Sequence, residues 1–595
     1  MTNREQSAQF QMANSASDSA EHSFSGVEDR LSSSNRSNGR IIAGEGLQVP
    51  FSKTEDWADS GDISSFSNYR FHQCDLTRKQ APSSENKQRE QLQQLSSDYG
   101  LLDNLQCNVA SLPIQTCLGE TTKFARISTK LPDINEARKD KPFQIPISSL
   151  ELLRNHGSGF KRLIGDGVLE PHTGHGKAEL STTEIMRIAS AKYIQSSSGP
   201  GDDLALPDYS CLSEEKIRNV QLAEILLAAA DKVGCQQFDE ASGLLDQCDE
   251  LCCSTGNPVE RTVYYFSEAL REKIDRETGK ISIKGLGKRM TLDVEEDSMR
   301  PSLPIIAHQQ LVPFSQIQLF SSIQTIVENV AEAKKIHVVD FRIHSGIQWT
   351  VLMQALSARR ECSLELLKIT AIGTSSQQVI EDAGKRLETF AQMLNVPFSF
   401  KIIMLQDMLE LKEDLFDLDE EESIVIYAWF LLKTMIYQPE RLDSAMKVIK
   451  KINPCAMVVI EAESNHNSPA FTNRFAEMLF FYSAYFDCFE ECMERDDENR
   501  TVLESVYFGQ GIRTTLAAEG EERTIRNVRI DVWRAFFSRF GMVEVDLGMA
   551  SLYQADLIAK KFPCGSSCTL DMNGKCLIIG WKGTPLSSLS AWRFE

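Results

Sequence analysis

The residues best placed for chemistry are Asp340 and the polar side chains behind it. Ile336-His337-Val338-Val339-Asp340-Phe341 is an apolar run closing on an acid, with Gly346, Gln348 and Trp349 just after it. Trp349, Leu352, Ala355 and Leu356 then recur at helical spacing, so the segment reads as strand, turn and helix. In an open α/β sheet the carboxyl end of such a strand is where ligands sit. A dinucleotide or S-adenosylmethionine site would need a glycine-rich turn, so that backbone can approach the ligand, and an acid closing the second strand to hold a ribose. The turn Phe341-Arg342-Ile343-His344-Ser345-Gly346 has one glycine, and the second strand ends at Ile372-Gly373-Thr374-Ser375-Ser376 without an acid. Both requirements fail. His337 and Asp340 are therefore expected to hydrogen-bond within the core and to fix the helices that precede this strand, as a cap, on the sheet.

The remaining reactive groups are weaker. His344 lies on the strand-end loop with no nucleophile or second acid near it in sequence. His466, between Asn465 and Asn467 and after Glu461 and Glu463, reads as a hydrogen-bonded brace at a strand end. Cys564, Cys568 and Cys576 supply three sulfurs but no nearby fourth ligand, unlike paired zinc knuckles. Cys488 and Cys492 fall one helical turn apart beside Phe486 and Phe489, as buried structural thiols do. No lipase-type elbow, P-loop or zinc-protease helix is present. No residue is expected to be catalytic, cofactor-binding or metal-ligating, and the chain is expected not to be an enzyme.

A chain of 595 residues is too long for one core. With 63 basic against 84 acidic residues the formal charge is −21, which opposes binding to polyphosphate. The 15 cysteines show no framework spacing, no apolar signal core follows Met1, and no window holds the roughly 18 apolar residues of a membrane span. A reducing compartment, nucleus or cytoplasm, is expected. Residues 1–205 are rich in Ser, Asn, Gln and acids and poor in periodic apolar runs, so they are expected to be largely disordered. Within them, 51–69 mixes Trp57, Phe66 and Tyr69 with acids, and 149–163 has the makings of a short amphipathic helix. Basic clusters at Lys284 to Arg289 and at Lys447, Lys450 and Lys451 are short.

Order is expected from Ser213, a helix cap followed by Glu214 and Glu215. Ile217, Val220, Leu222, Ile225, Leu226, Ala229 and Val233 form an apolar stripe that stops at Gly234. A second helix carries Phe238, Ala241, Leu244, Leu245, Cys248 and Leu251, and Asn257-Pro258 opens a third. Strands are predicted at 336–341, 366–372, 398–404, 423–427, 456–460, 542–547 and 576–581. Helical patterns lie between the early ones, at 379–394 and 439–452 among others. That alternation predicts an α/β fold with a mostly parallel, Rossmann-type sheet under helices on both faces. A helical bundle precedes it, and the two late strands are expected to pair as an edge hairpin.

These blocks resemble the plant GRAS domain over residues 206–595. Ile336 to Phe341 resembles the family's Val-His-Ile-Ile-Asp block, with Gly346, Gln348 and Trp349 at its Gly-x-Gln-Trp. The helices from Gln221 to Leu251 resemble its first leucine-rich region, and Leu311 to Ile326 its second. Phe481 and Tyr482 match a Phe-Tyr pair, and Trp581 with Ser590-Ala591-Trp592 its terminal signature. Gly509-Gln510-Gly511 departs from the family's Gly-Arg-Glu, though Glu519 to Arg523 and Arg526 follow. The look is closest to the gibberellin-repressor (DELLA) branches, without their N-terminal Asp-Glu-Leu-Leu-Ala segment.

The resemblance implies a cap, from 206–275 and about 305–332, on a methyltransferase-like core, 333–595. It also implies a nuclear co-regulator that binds other transcription factors, zinc-finger proteins among them, and other GRAS proteins as homo- or heterodimers. No cofactor and no membrane are implied, and DNA is met directly or indirectly. Leu222, Leu226, Leu244, Leu245, Leu251, Pro313 and Phe314 are the candidate partner-binding residues. The rival readings are a sequence-specific DNA-binding factor and, behind it, an S-adenosylmethionine-dependent methyltransferase.

Overall fold

Local chemistry sets the starts of the first helices. In the computed structural model, which describes residues 180–197, 212–281, 302–360, 362–374 and 377–595, α1 (Thr182–Ser197) buries Met186, Ile188, Ala189 and Ile194. α2 (Glu214–Gly234) begins where the Ser213 hydroxyl accepts from the Lys216 N–H, with both glutamates in the positive first turn. α3 (Phe238–Leu251) follows. α4 (Pro258–Glu277) starts at Asn257, whose Oδ1 accepts from the Val259 and Glu260 N–H groups, with Pro258 pre-set for the first turn.

The rest of the chain alternates. It runs α5 (Leu303–Leu311), α6 (Pro313–Asn329), β1 (Lys335–Asp340), α7 (Ile347–Ser357), β2 (Leu366–Gly373), α8 (Gln377–Met393), β3 (Phe398–Met404), β4 (Glu422–Trp429), α9 (Pro439–Ile452) and β5 (Ala456–Ala462). Then come α10 (Phe471–Cys492), α11 (Glu498–Val502), a π-helical stretch (Leu503–Gly509), α12 (Gln510–Leu516), α13 (Ile530–Ser538), β6 (Met542–Val545), α14 (Met549–Lys561), β7 (Cys568–Asn573), β8 (Cys576–Trp581) and β9 (Thr584–Phe594).

The sheet order is β3-β2-β1-β4-β5-β9-β8-β7, with β6 also on β9. β1 to β5 are parallel and β6 to β9 are joined antiparallel. This is the 3-2-1-4-5 half-sheet of Rossmann-type folds extended by an antiparallel edge. One face, with Val339, Ile426, Val459 and Trp592, packs on Leu442, Met446 and Ile449 of α9 and on Trp533 and Phe537 of α13. The opposite face carries Tyr427, which meets Ser322 of α6 and the Trp349 ring of α7.

Three expectations change. β6 does not form a hairpin with β8; both lie along β9, because the terminal Ser-Ala-Trp segment is itself a strand. Ordered structure begins before residue 206, with α1 packed on α2 and α10. The helix at 313–329 makes its main contacts with the sheet, α7 and α14 and so belongs to the core layers, while α4 and α1 rest on α10. The stretches 51–69 and 149–163 and the Lys284 to Arg289 cluster lie outside the described residues.

Candidate functional site

Asp340 ends β1 fully buried. Its Oδ1 accepts the Arg342 N–H at 3.0 Å, and its Oδ2 accepts Gln348 Nε2 at 3.2 Å and Trp349 Nε1 at 2.8 Å. Burial pushes the carboxyl up to about 6, and these three donors limit the rise. Gly346 sits at φ +79°, where a side chain would be strained, and turns the chain into α7 so that Gln348 and Trp349 reach back. All three donors belong to the fold itself. Trp349 continues the link edge-on to Tyr427, whose hydroxyl lies 3.4 Å from Ser322 on α6.

His337 is a brace of a different kind. Its Nδ1 is 3.0 Å from Glu422 and its Nε2 is 2.8 Å from Thr370, so it ties β1 to the strands on both sides and not to the cap. Burial pushes its pKa down to about 3, so the ring is neutral at neutral pH despite the adjacent carboxylate. Ile336, Val338, Val339 and Phe341 are core residues around it.

A second polar cluster lies at the end of β5. His466 Nε2 meets Ser464 at 2.8 Å, Nδ1 meets the Asn527 side chain at 2.9 Å, and the ring stacks over Tyr482 and stands edge-on to Phe481. Burial again pushes it down, to about 3. Glu461 is buried, and its Oε1 accepts the Lys433 N–H at 3.2 Å. Glu463 accepts the Ile530 N–H that opens α13. Burial pushes both carboxyls up to about 7. Two carboxyls titrating near neutrality a few residues from a histidine would suit acid–base work if they met it, yet the histidine's ring nitrogens face Ser464 and Asn527. The arrangement braces β5, α10 and α13.

The cap is clamped by ions. Arg261 of α4, almost wholly buried, reaches Glu490 at 2.9 Å and Glu504 at 3.1 Å and donates to the Phe486 carbonyl. Arg500 meets the same two acids at 2.6 and 3.1 Å. Burial alone would raise Glu490, but Arg500, Arg261 and Arg495 pull it down to about 2. Glu519 bridges Lys273 of α4 and Arg474 of α10. The first acid of the Glu519 to Arg523 run thus ties α4 to α10, and the Arg523 guanidinium donates to the His466 carbonyl.

The terminal signature is also internal. Trp581 Nε1 donates to Asp487 at 2.8 Å, and Trp592 lies 4.8 Å from the Phe537 ring with its indole N–H on Ser590. Ser590 and Ala591 pair with Val459 and Val458 in mid-sheet.

The candidate partner-binding residues divide. Leu222, Leu226, Leu245, Pro313 and Phe314 are buried within this chain, Phe314 edge-on to Trp581 and Tyr485, so they are corrected from surface contacts to core. Leu244 is half-buried, and Leu251 is 56% exposed. A stripe that sequence reasoning missed lies on α14. Met549, Tyr553 and Leu557 are 62%, 44% and 43% exposed, while Ser551, Ala555, Ile558 and Ala559 are buried on the side that meets α6. Their four-residue spacing was the available signal, but periodicity marks a face without saying whether anything covers it.

The GRAS domain family matches residues 222–593. The chain is 28% identical over 386 residues to the DELLA protein GAI1 of Vitis vinifera, covering 64% of this chain and 63% of that one. It is 30% identical over 377 residues to the DELLA protein RGL1 of Arabidopsis thaliana, covering 63% and 70%. It thus spans less than two thirds of the grape relative. The solved structure of SCL7 from Oryza sativa superposes with a TM-score of 0.55 at 26% identity, over 62% of this chain and 99% of that one.

Proposed function

The chain belongs to the GRAS domain family, and on that premise we propose that it is a plant nuclear regulator of transcription acting as a co-regulator. In this reading it binds other transcription factors, zinc-finger proteins among them, and other GRAS proteins, and meets DNA through them. One contrast supports this. The strand-end groups are held by internal hydrogen bonds, whereas an apolar stripe on α14 stays open to solvent. A row of exposed aliphatic and aromatic side chains on one helix face is the kind of surface that a partner helix or groove covers. The net charge of −21 adds to the argument, since it opposes direct capture of phosphate. Among the described residues no helix is long and apolar enough to cross a membrane.

The test is a Tyr553→Asp/Leu557→Asp double variant titrated with a purified zinc-finger transcription factor beside the wild type. Its melting temperature should match the wild type because both sites are exposed, and its affinity should fall roughly tenfold or more. Unchanged affinity in the folded variant defeats this surface. Duplex binding by the isolated chain that weakens steeply with salt defeats the co-regulator reading in favour of direct DNA contact.

A further inference from the structure

Two thiols far apart in sequence meet where α10 ends. The sulfurs of Cys492, the last residue of α10, and Cys564, in the turn after α14, are 2.8 Å apart. That is within about 1 Å of the ~2.05 Å of a disulfide bond. The approach is held by contacts on both sides. Ser567 donates to Glu491 at 2.8 Å, Trp581 to Asp487 at 2.8 Å, and Lys582 pairs with Asp487 at 2.7 Å. Gly565 permits the turn, since a β-carbon there would lie 1.9 Å from the Ala559 carbonyl oxygen. Cys488 lies 3.7 Å from Cys492, one turn back. Among the described residues no group of three or more His, Cys, Asp and Glu side chains is arranged to hold a metal ion.

We propose that Cys492 and Cys564 form a redox modification site, a thiol pair that hydrogen peroxide converts into a disulfide tying α10 to the turn between α14 and β7. The Cys492 thiolate attacks the peroxide O–O bond, becoming a sulfenic acid and releasing hydroxide. The Cys564 sulfur then displaces that oxygen as water and forms the S–S bond. Two thiols and one peroxide thus give one disulfide and two waters. Cys492 is partly exposed and admits a small oxidant, while Cys564 is buried. The contact with Cys488 and burial hold the Cys492 thiol high, and the contact with Cys492 and burial hold Cys564 high. Both rest protonated, so closure is slow at neutral pH and accelerates as pH rises. The bond would enclose residues 492–564 and anchor the end of α14, the helix that carries the exposed stripe.

The test treats the purified full chain with graded peroxide and maps its tryptic peptides without reduction. Peptides 475–495 and 562–575 should appear joined, lighter by two hydrogens, with fragmentation placing the bond between Cys492 and Cys564. Dithiothreitol should reverse it. Oxidation should raise the thermal midpoint by several degrees, an increase absent in Cys492→Ser and Cys564→Ser but kept in Cys488→Ser and Cys568→Ser. Because the peptide map is read on the wild type, a serine variant that fails to fold leaves the test intact. A bond between other cysteines, no bond once the exposed Cys253 has been oxidised, or stoichiometric zinc in the purified chain would each overturn the proposal.

Discussion

Glu461→Gln removes a buried charge while keeping the side chain's shape and an acceptor for the Lys433 N–H. The carboxyl is 2% exposed, its Oε2 has no hydrogen-bond partner, and burial, opposed by Lys433, raises it from 4.5 to about 7. Between those two pH values the folded carboxyl keeps a proton that the unfolded one has released. The folded state then binds more protons, so stability falls as pH rises through the window. At ~1.36 kcal/mol per pH unit the loss reaches about 3 kcal/mol once the pH is above 7. The glutamine variant escapes that loss. Urea midpoints followed by circular dichroism at steps from about pH 4 to pH 8 should therefore show no advantage for the variant below pH ~4.5 and about 3 kcal/mol above pH 7. Glu463 titrates in the same range but is present in both proteins and cancels to first order in the difference. A flat difference curve, or one of opposite sign, would refute the assignment of Glu461 as a buried acid whose desolvation outweighs its partners.

Two further outcomes test the cap. Arg261→Met should destabilise the domain by about 3–5 kcal/mol, since it leaves Glu504, 2% exposed, with only Arg500 beside it; a midpoint shift below 1 kcal/mol would contradict that (~1 being typical of surface pairs). Leu245→Ala should cost roughly 2–5 kcal/mol and Leu251→Ala under about 0.5, as core and surface positions of one helix, and equal losses by chemical denaturation would show the helix to be rotated from its described face.

What the sequence by itself determined is local or periodic. The Ser213 and Asn257-Pro258 caps, a strand expected at 336–341 and found one residue earlier at Lys335–Asp340, and the parallel α/β alternation rest on backbone hydrogen-bonding and side-chain spacing. The failed cofactor requirements at Asp340 were legible too, because a single glycine and a missing acid are facts of the chain. The tertiary structure decided the rest. An apolar stripe is the same in sequence whether a neighbour or a partner covers it, so only packing could send Leu222, Leu245 and Phe314 inward and leave Leu251 and the α14 stripe outside. Ser590-Ala591-Trp592 reads as a signature, but its place in mid-sheet depends on pairing with β5 across more than a hundred residues. His466 with Asn527, Arg261 with Glu504 and Cys492 with Cys564 are likewise long-range meetings. No spacing rule predicts them, because chain closure and core packing set those distances.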